Sequence, residues 1–292
     1  CPKRSHSHRL TSVGIDPVRQ TPFVVQSSCS LPVRRVGLTM ASQPLSLAAM
    51  HKRDGLTLPA PPENWSAWLP VAIFLDFDGT LVEIADTPDA ILVPDDLGQR
   101  LETLEARVEG RLALITGRSL SDIGGHLGPV SIMVVGSHGA EYGDAAVQPL
   151  TLSVDASTAV ANLVAEWPGL LVETKPHGIA IHYRQEPEAE PAVFTVMDDI
   201  AQREGLALRR GKMVVELGPA HTDKGKALTR LMDQPAYRGA TPIFIGDDIT
   251  DEDGFAAAAA AGGHGILVGG PRPPPAHFTL HGAQEVYRWL GP

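Results

Sequence analysis

Val71-Ala72-Ile73-Phe74-Leu75-Asp76-Phe77-Asp78-Gly79-Thr80 is an apolar run that stops on two carboxylates spaced two apart. Five apolar residues in a row suit a short strand buried on both faces. Residues i and i+2 of an extended chain point the same way, so Asp76 and Asp78 share one side of the strand's C-terminal end. Open α/β sheets bind ligands at that edge. Two adjacent carboxylates repel unless a cation or a shared proton compensates them. A hard divalent ion such as Mg²⁺ prefers their oxygens. A lone pair of this kind also serves to end a strand and cap a helix, so the rest of the chain has to decide.

Outward from this run the pattern alternates. A helix is expected over 95–108, a strand over 112–115, a short helix over 119–127 capped by Ser119, and a strand over 132–135. After residue 218 come a helix over 223–232, a strand over 242–245, an Ala-rich helix over 251–261 stopped by Gly262-Gly263, a last strand over 266–268 and a helix over 283–290. Strand and helix in turn argue a parallel sheet covered on both faces. The middle differs: helix 155–166, strands 170–173 and 179–183, helix 190–204, strands 206–209 and 213–217. Its alternating polar and apolar residues suit an open sheet with one wet face. The fold class is therefore α/β, a Rossmann-like parallel core, with an inserted α+β unit. The expected boundaries are core 64–143 and 218–292, insert 144–217, and a leader and linker, disordered or non-native, over 1–63.

Composition narrows the function. The chain has 292 residues, 43% hydrophobic and 20% charged, with net charge −10. Residues 1–39 hold six basic side chains against Asp16 alone, so the remainder is more acidic still. An acidic body argues against nonspecific nucleic-acid binding. No apolar run approaches the length of a membrane span. The two cysteines, Cys1 and Cys29, both precede the patterned region, which suits a reducing, cytoplasmic setting.

Three further elements stand at strand ends or helix starts. Thr116-Gly117-Arg118 follows the second strand, where a hydroxyl and helix-start N–H groups can hold a phosphate oxygen or simply cap the helix. Lys224 in Asp223-Lys224-Gly225-Lys226 opens a helix, at the end where the dipole disfavours a cation, so it needs an anion nearby. Lys226 reads as a solvated helix residue. Asp247-Asp248-Ile249-Thr250-Asp251-Glu252-Asp253 packs five carboxylates into seven positions after a buried strand, without EF-hand spacing.

Taken in order, these four elements resemble those of the haloacid dehalogenase-like phosphatases, over about 71–290. The resemblance implies that Asp76 is the nucleophile that takes the phosphoryl group and Asp78 the acid, then base. It implies that Thr116 and Lys224 hold the transferring oxygens. Mg²⁺ would be bound by Asp76, the Asp78 carbonyl and Asp247, with Asp248 and Asp251 in support. The insert resembles a C2-type cap, the kind used for sugar phosphates. Closer similarity is to the trehalose-6-phosphate phosphatases, through Gly136-Ser137-His138-Gly139-Ala140-Glu141, the stretch Lys175 to Arg184, and Gly211-Lys212-Met213-Val214-Val215-Glu216. That family's pattern implies substrate contacts from Gly117, Arg118, His138, Glu141, Lys212 and Glu216. Each also has a plainer reading. His138 suits a packed hairpin, Lys175, His182 and Arg184 a solvated face, and Glu216 an ordinary ion pair. Gly218 departs from the family, which usually places Arg or Lys there. The implied reaction is hydrolysis of trehalose 6-phosphate, with a sucrose phosphate or glycosylglycerate phosphate phosphatase as the alternative.

Overall fold

A computed structural model describes residues 58–85, 87–143, 149–270 and 275–291. The leader expected over 1–63 lies almost wholly outside them, as do both cysteines. Seven strands form one sheet in the order β11-β10-β9-β1-β2-β3-β4. They are β1 Val71–Leu75, β2 Leu112–Ile115, β3 Met133–Gly136, β4 Glu141–Tyr142, β9 Thr241–Gly246, β10 His264–Val268 and β11 Phe278–Leu280. All pairings are parallel except β3 with β4.

The period of two in β1 explains the layering. Val71, Ile73 and Leu75 pack into a cluster with α1 (Leu97–Arg107), α2 (Leu120–Leu127) and α7 (Ala283–Leu290). Ala72 and Phe74 join the opposite cluster with α5 (Lys224–Met232) and α6 (Glu252–Ala260). Every residue of β1 is buried, which is why its sequence shows no polar alternation. Burying a large apolar side chain is worth about 1.5–3 kcal/mol, so this central strand is anchored from both sides.

The inserted unit forms its own antiparallel sheet, ordered β5-β6-β8-β7. Its elements are α3 Val154–Glu166, β5 Leu171–Lys175, β6 Gly178–His182, α4 Glu190–Glu204, β7 Leu206–Gly211 and β8 Val214–Pro219. Ile179, Ile181, Val215 and Leu217 face α3 and α4, while Glu173, Lys175, His182, Lys212 and Glu216 line a cleft. The alternation read from sequence is this division between a packed face and a polar one.

Two strands depart from expectation. Residues 266–268 are not the last strand, because β11 pairs with β10 in parallel beyond it. Glu141–Tyr142 adds an antiparallel edge to β3. Three and two residues are too few to display a period, and only pairing defines them. No helix among the described residues is long and apolar enough to cross a membrane.

Candidate active site

The Asp76 N–H still donates to Ile245 of β9, at 2.9 Å, so its carboxylate leaves the sheet edge in fixed register. It is 4% exposed. Lys224 reaches it from the first position of α5, with Nζ 2.8 Å from Asp76 and 2.6 Å from Asp251. The Asp223 side chain caps that helix by accepting from Lys226 N–H at 2.7 Å. Lys226 itself is exposed and pairs with Asp223, as a solvated residue should.

The acidic stretch after β9 curls into a turn, Ile249–Asp251. One Asp251 oxygen accepts from the N–H groups of Asp247 and Asp248 at 2.9 and 2.8 Å. Ligand oxygens of Asp76, Asp247 and Asp251 lie within 4.8 Å of one another, and all three residues are buried. Burial, with the charge of Asp251 behind it, pushes the Asp76 carboxyl well above the usual range. The same two causes push Asp247 up to about 6. Lys224 is held above its ordinary value by Asp251 and Asp76 despite the burial that opposes it. Three converging carboxylates against two ammoniums, Lys224 and Lys212, still leave negative charge uncompensated. The cluster therefore fits a hard cation. Gly79 completes the cradle: its φ is +76°, and a Cβ there would stand 2.1 Å from an Asp247 oxygen.

Asp78 is oriented by Arg118. The guanidinium donates from Nε and Nη2 to both carboxylate oxygens at 2.7 and 2.8 Å, and from Nη1 to Asp122 at 2.6 Å. The Thr116 hydroxyl accepts from the Arg118 N–H at 3.1 Å, and the Thr116 carbonyl accepts from His138 N–H at 2.9 Å. Ser137 and His138 both adopt positive φ, 47° and 53°. That backbone tucks the imidazole against Gly117, where a Cβ would lie 2.6 Å from Nε2.

The cap closes the cleft from above. Lys175 Nζ donates to the Gly117 carbonyl at 3.2 Å and to Glu216 at 2.6 Å. Glu216 Oε1 lies 3.4 Å from His138 Nε2. Burial alone would raise the Glu216 carboxyl, yet Lys175 holds it well below the usual range. His138 is depressed by burial. Its Nδ1 is buried without a partner, which suits a neutral ring protonated on Nε2. Lys212, at the tip of the β7–β8 hairpin, pairs with Asp247 of the core. Arg184 donates to the Ala85 carbonyl at 2.7 Å, and His182 lies 2.9 Å from Glu173. The cleft is half open to solvent, with a cavity volume of about 180 Å³.

The trehalose-phosphatase family model matches residues 74–269. This chain belongs to that family. The trehalose-6-phosphate phosphatase of Escherichia coli (strain K12) is 38% identical over 226 residues, covering 75% of this chain and 85% of that relative. The probable trehalose-phosphate phosphatase of Sinorhizobium fredii (strain NBRC 101917 / NGR234) is also 38% identical, covering 72% and 80%. The solved C-terminal domain of the C. albicans trehalose-6-phosphate phosphatase superposes with a TM-score of 0.70 at 20% identity. It covers 80% of this chain and 97% of that domain, and it supports the fold: the α/β core with its α+β cap.

Within this trehalose-phosphatase framework, several of the expected site residues are placed differently from expectation. Asp248 is not among the converging carboxylates; Asp251 takes that place, because Asp248 Oδ1 accepts from its own neighbour Ile249 N–H at 2.7 Å. Glu141 does not line the cleft. It accepts from the Ser137 hydroxyl and from Leu120 N–H, bracing the turn that carries His138. Arg118 lines the cleft but is engaged by Asp78 and Asp122. Thr116 is fully buried beneath it. At Gly218 a Cβ would stand 2.4 Å from Arg209 Nη1, so a guanidinium from the neighbouring strand occupies that space. Lys175, His182 and Arg184 line the cleft although the plainer reading left them on a solvated face, and Glu173, which the sequence reading did not single out, joins them. The alternation of β5 and β6 carried that signal.

Proposed function

We propose that this chain hydrolyses trehalose 6-phosphate to trehalose and inorganic phosphate. The observation that carries the reading is the meeting of Asp76, Lys224, Asp247 and Asp251 beneath a polar cap face. Asp76 attacks phosphorus, its bond to phosphorus forms as the bond to the sugar oxygen breaks, and Asp78 delivers a proton to that oxygen. Asp78 then takes a proton from water, which attacks the aspartyl phosphate and frees phosphate and Asp76. Lys224 holds a phosphoryl oxygen, its ammonium offsetting charge as transfer proceeds. Arg118 fixes the Asp78 carboxylate and must yield it for proton delivery. Asp76, Asp247 and Asp251 would hold Mg²⁺, which supplies charge neutralisation to two anions that otherwise repel.

Residues 144–217 act as the cap, over a core formed by 64–143 and 218–292. Glu216 and Lys212 are its directional partners for sugar hydroxyls, and His138 supports Glu216 from the core. The cytoplasm is the compartment this reading assigns, on cysteine usage. The test is phosphate release over a panel of trehalose 6-phosphate, sucrose phosphate, a glycosylglycerate phosphate and a hexose phosphate. The largest kcat/KM is expected on trehalose 6-phosphate. Preference for another member would reassign the substrate, and no release from any would overturn the reading.

A further inference from the structure

The chain leaves the cap sheet at Pro219, the last residue of β8, and enters the core helix α5 at Lys224. Arg209, on β7, fastens this crossing at both ends. Its Nη2 donates to the Pro219 carbonyl at 3.0 Å, to the Thr222 carbonyl at 2.6 Å and to the Thr222 hydroxyl at 2.9 Å. Thr222 closes the turn itself, its N–H and hydroxyl donating to the Pro219 carbonyl at 3.3 and 3.0 Å. Thr222 is buried and Arg209 half-buried, so water competes poorly for these bonds. Charge-assisted donors make the stronger kind of hydrogen bond.

Arg209 stands directly opposite Glu216 in the β7–β8 pairing. Opposed residues of antiparallel strands put their side chains on one face, and here it is the cleft face, which both residues line. At the other end of the guanidinium, Thr222 lies two residues before Lys224, whose ammonium is 2.8 Å from Asp76. Helix α5 is seated in the core by its own packing: a Cβ on Gly225 would lie 2.4 Å from the Asp253 carbonyl, so the helix start has no room to slide. One side chain therefore spans from the strand pair carrying Glu216 to the helix start carrying Lys224. Gly218 leaves it the space, since a Cβ there would stand 2.4 Å from Nη1.

We propose that Arg209 is a positioning residue that keeps the cap's sugar-binding strands in register with Lys224, so that a substrate held by its sugar presents its phosphorus to Asp76. The proposal rests on the phosphatase reading for its substrate. Binding energy from the sugar speeds phosphoryl transfer only if the two halves of the site keep a fixed spacing. A misplacement of about 1 Å can cost on the order of 100-fold in rate. A phosphate ester without a sugar gains nothing from that spacing.

Arg209→Met, which removes the donors, and Gly218→Ala, which adds a methyl where Nη1 lies, test it in the full chain. The clash in the second variant falls on the far end of a flexible side chain, so the guanidinium moves and the strand stays. kcat/KM is measured on trehalose 6-phosphate and on p-nitrophenyl phosphate, which offers the cap no sugar. Each variant should lose about tenfold more on the first than on the second. An equal loss on both is what a displaced Lys224 or a loosened fold would give, and it overturns the register role, as does full activity on trehalose 6-phosphate. Hydrogen exchange read by mass spectrometry follows the fastening without turnover. The peptide over 218–224 should exchange faster in both variants, with β1 unchanged, and equal exchange there in the folded variants overturns the fastening. A wild type that releases phosphate from neither compound sinks the phosphatase reading instead, and exchange alone then decides whether Arg209 ties the crossing.

Discussion

Lys224 shows how a single residue can look misplaced until its partners are known. A cation at the start of a helix works against the helix dipole. Here two buried carboxylates, at 2.6 and 2.8 Å, outweigh that cost. Asp76 is the nearer test of chemistry. Asp76→Asn keeps the side chain's size and removes the nucleophile, so turnover should fall on the order of 10⁴-fold or more while the thermal midpoint holds. Substantial residual activity in that variant would refute the aspartyl-phosphate route. Gly79 is the nearer test of geometry. Gly79→Ala places a methyl within 2.1 Å of Asp247 at a φ of +76°. It should cost more than about 1 kcal/mol in denaturant melts and weaken Mg²⁺ binding in the same titration. A neutral substitution would mean that Asp247 is not held where the cluster needs it.

At the scale of elements, β5 and β8 carry the cap's buried ion pair. Lys175 and Glu216 are largely buried, and removing one partner strands the other charge. Lys175→Met should destabilise by about 3–5 kcal/mol, and adding Glu216→Gln should recover part of that in a double-mutant cycle. Additive losses would show that the two do not act as a pair. Glu216 also predicts an acid limb. Its folded carboxyl lies well below the usual range, so the unfolded chain takes up the proton first as pH falls. The stabilisation is therefore complete above about pH 4.3 and drains away below it. Glu216→Gln should flatten that limb, and an unchanged slope would remove the pair from the account. The short elements teach a different lesson. Ser119 caps α2 by accepting from Asp122 N–H, which the local pattern announced. β4 and β11 have too few residues to announce anything, and exist because a neighbouring strand offers them partners.

The whole molecule brings strand ends and a cap hairpin together around one cluster of charge, and this sets a linkage between metal and pH. Asp247 is raised to about 6, so the cation-free folded chain keeps a proton that the unfolded chain releases near pH 3.9. Chelated protein should lose stability as pH climbs from about 4 to about 6, and Mg²⁺ should abolish that slope by holding the carboxylates ionised. EDTA should also stop phosphate release, with Mg²⁺ restoring it. A chelator-insensitive enzyme, or identical pH profiles with and without Mg²⁺, would take the cation out of the site.

Local pattern alone determined much of this protein. The strand ends in acids, the buried run before Asp76, the helix opened by Lys224 and the wet face of the cap are all properties of residues a few positions apart. Periodicity reports which side of its own element a side chain leaves. It does not report which distant element comes to meet it. Packing alone therefore decided that Asp251 rather than Asp248 joins Asp76 and Asp247, that Arg118 grips Asp78, that Glu141 braces a turn instead of facing the cleft, and that Arg209 fills the space beside Gly218. Each of these depends on distances of a few ångströms that no local period reports, set by how turns, two sheets and their helices close around their cores.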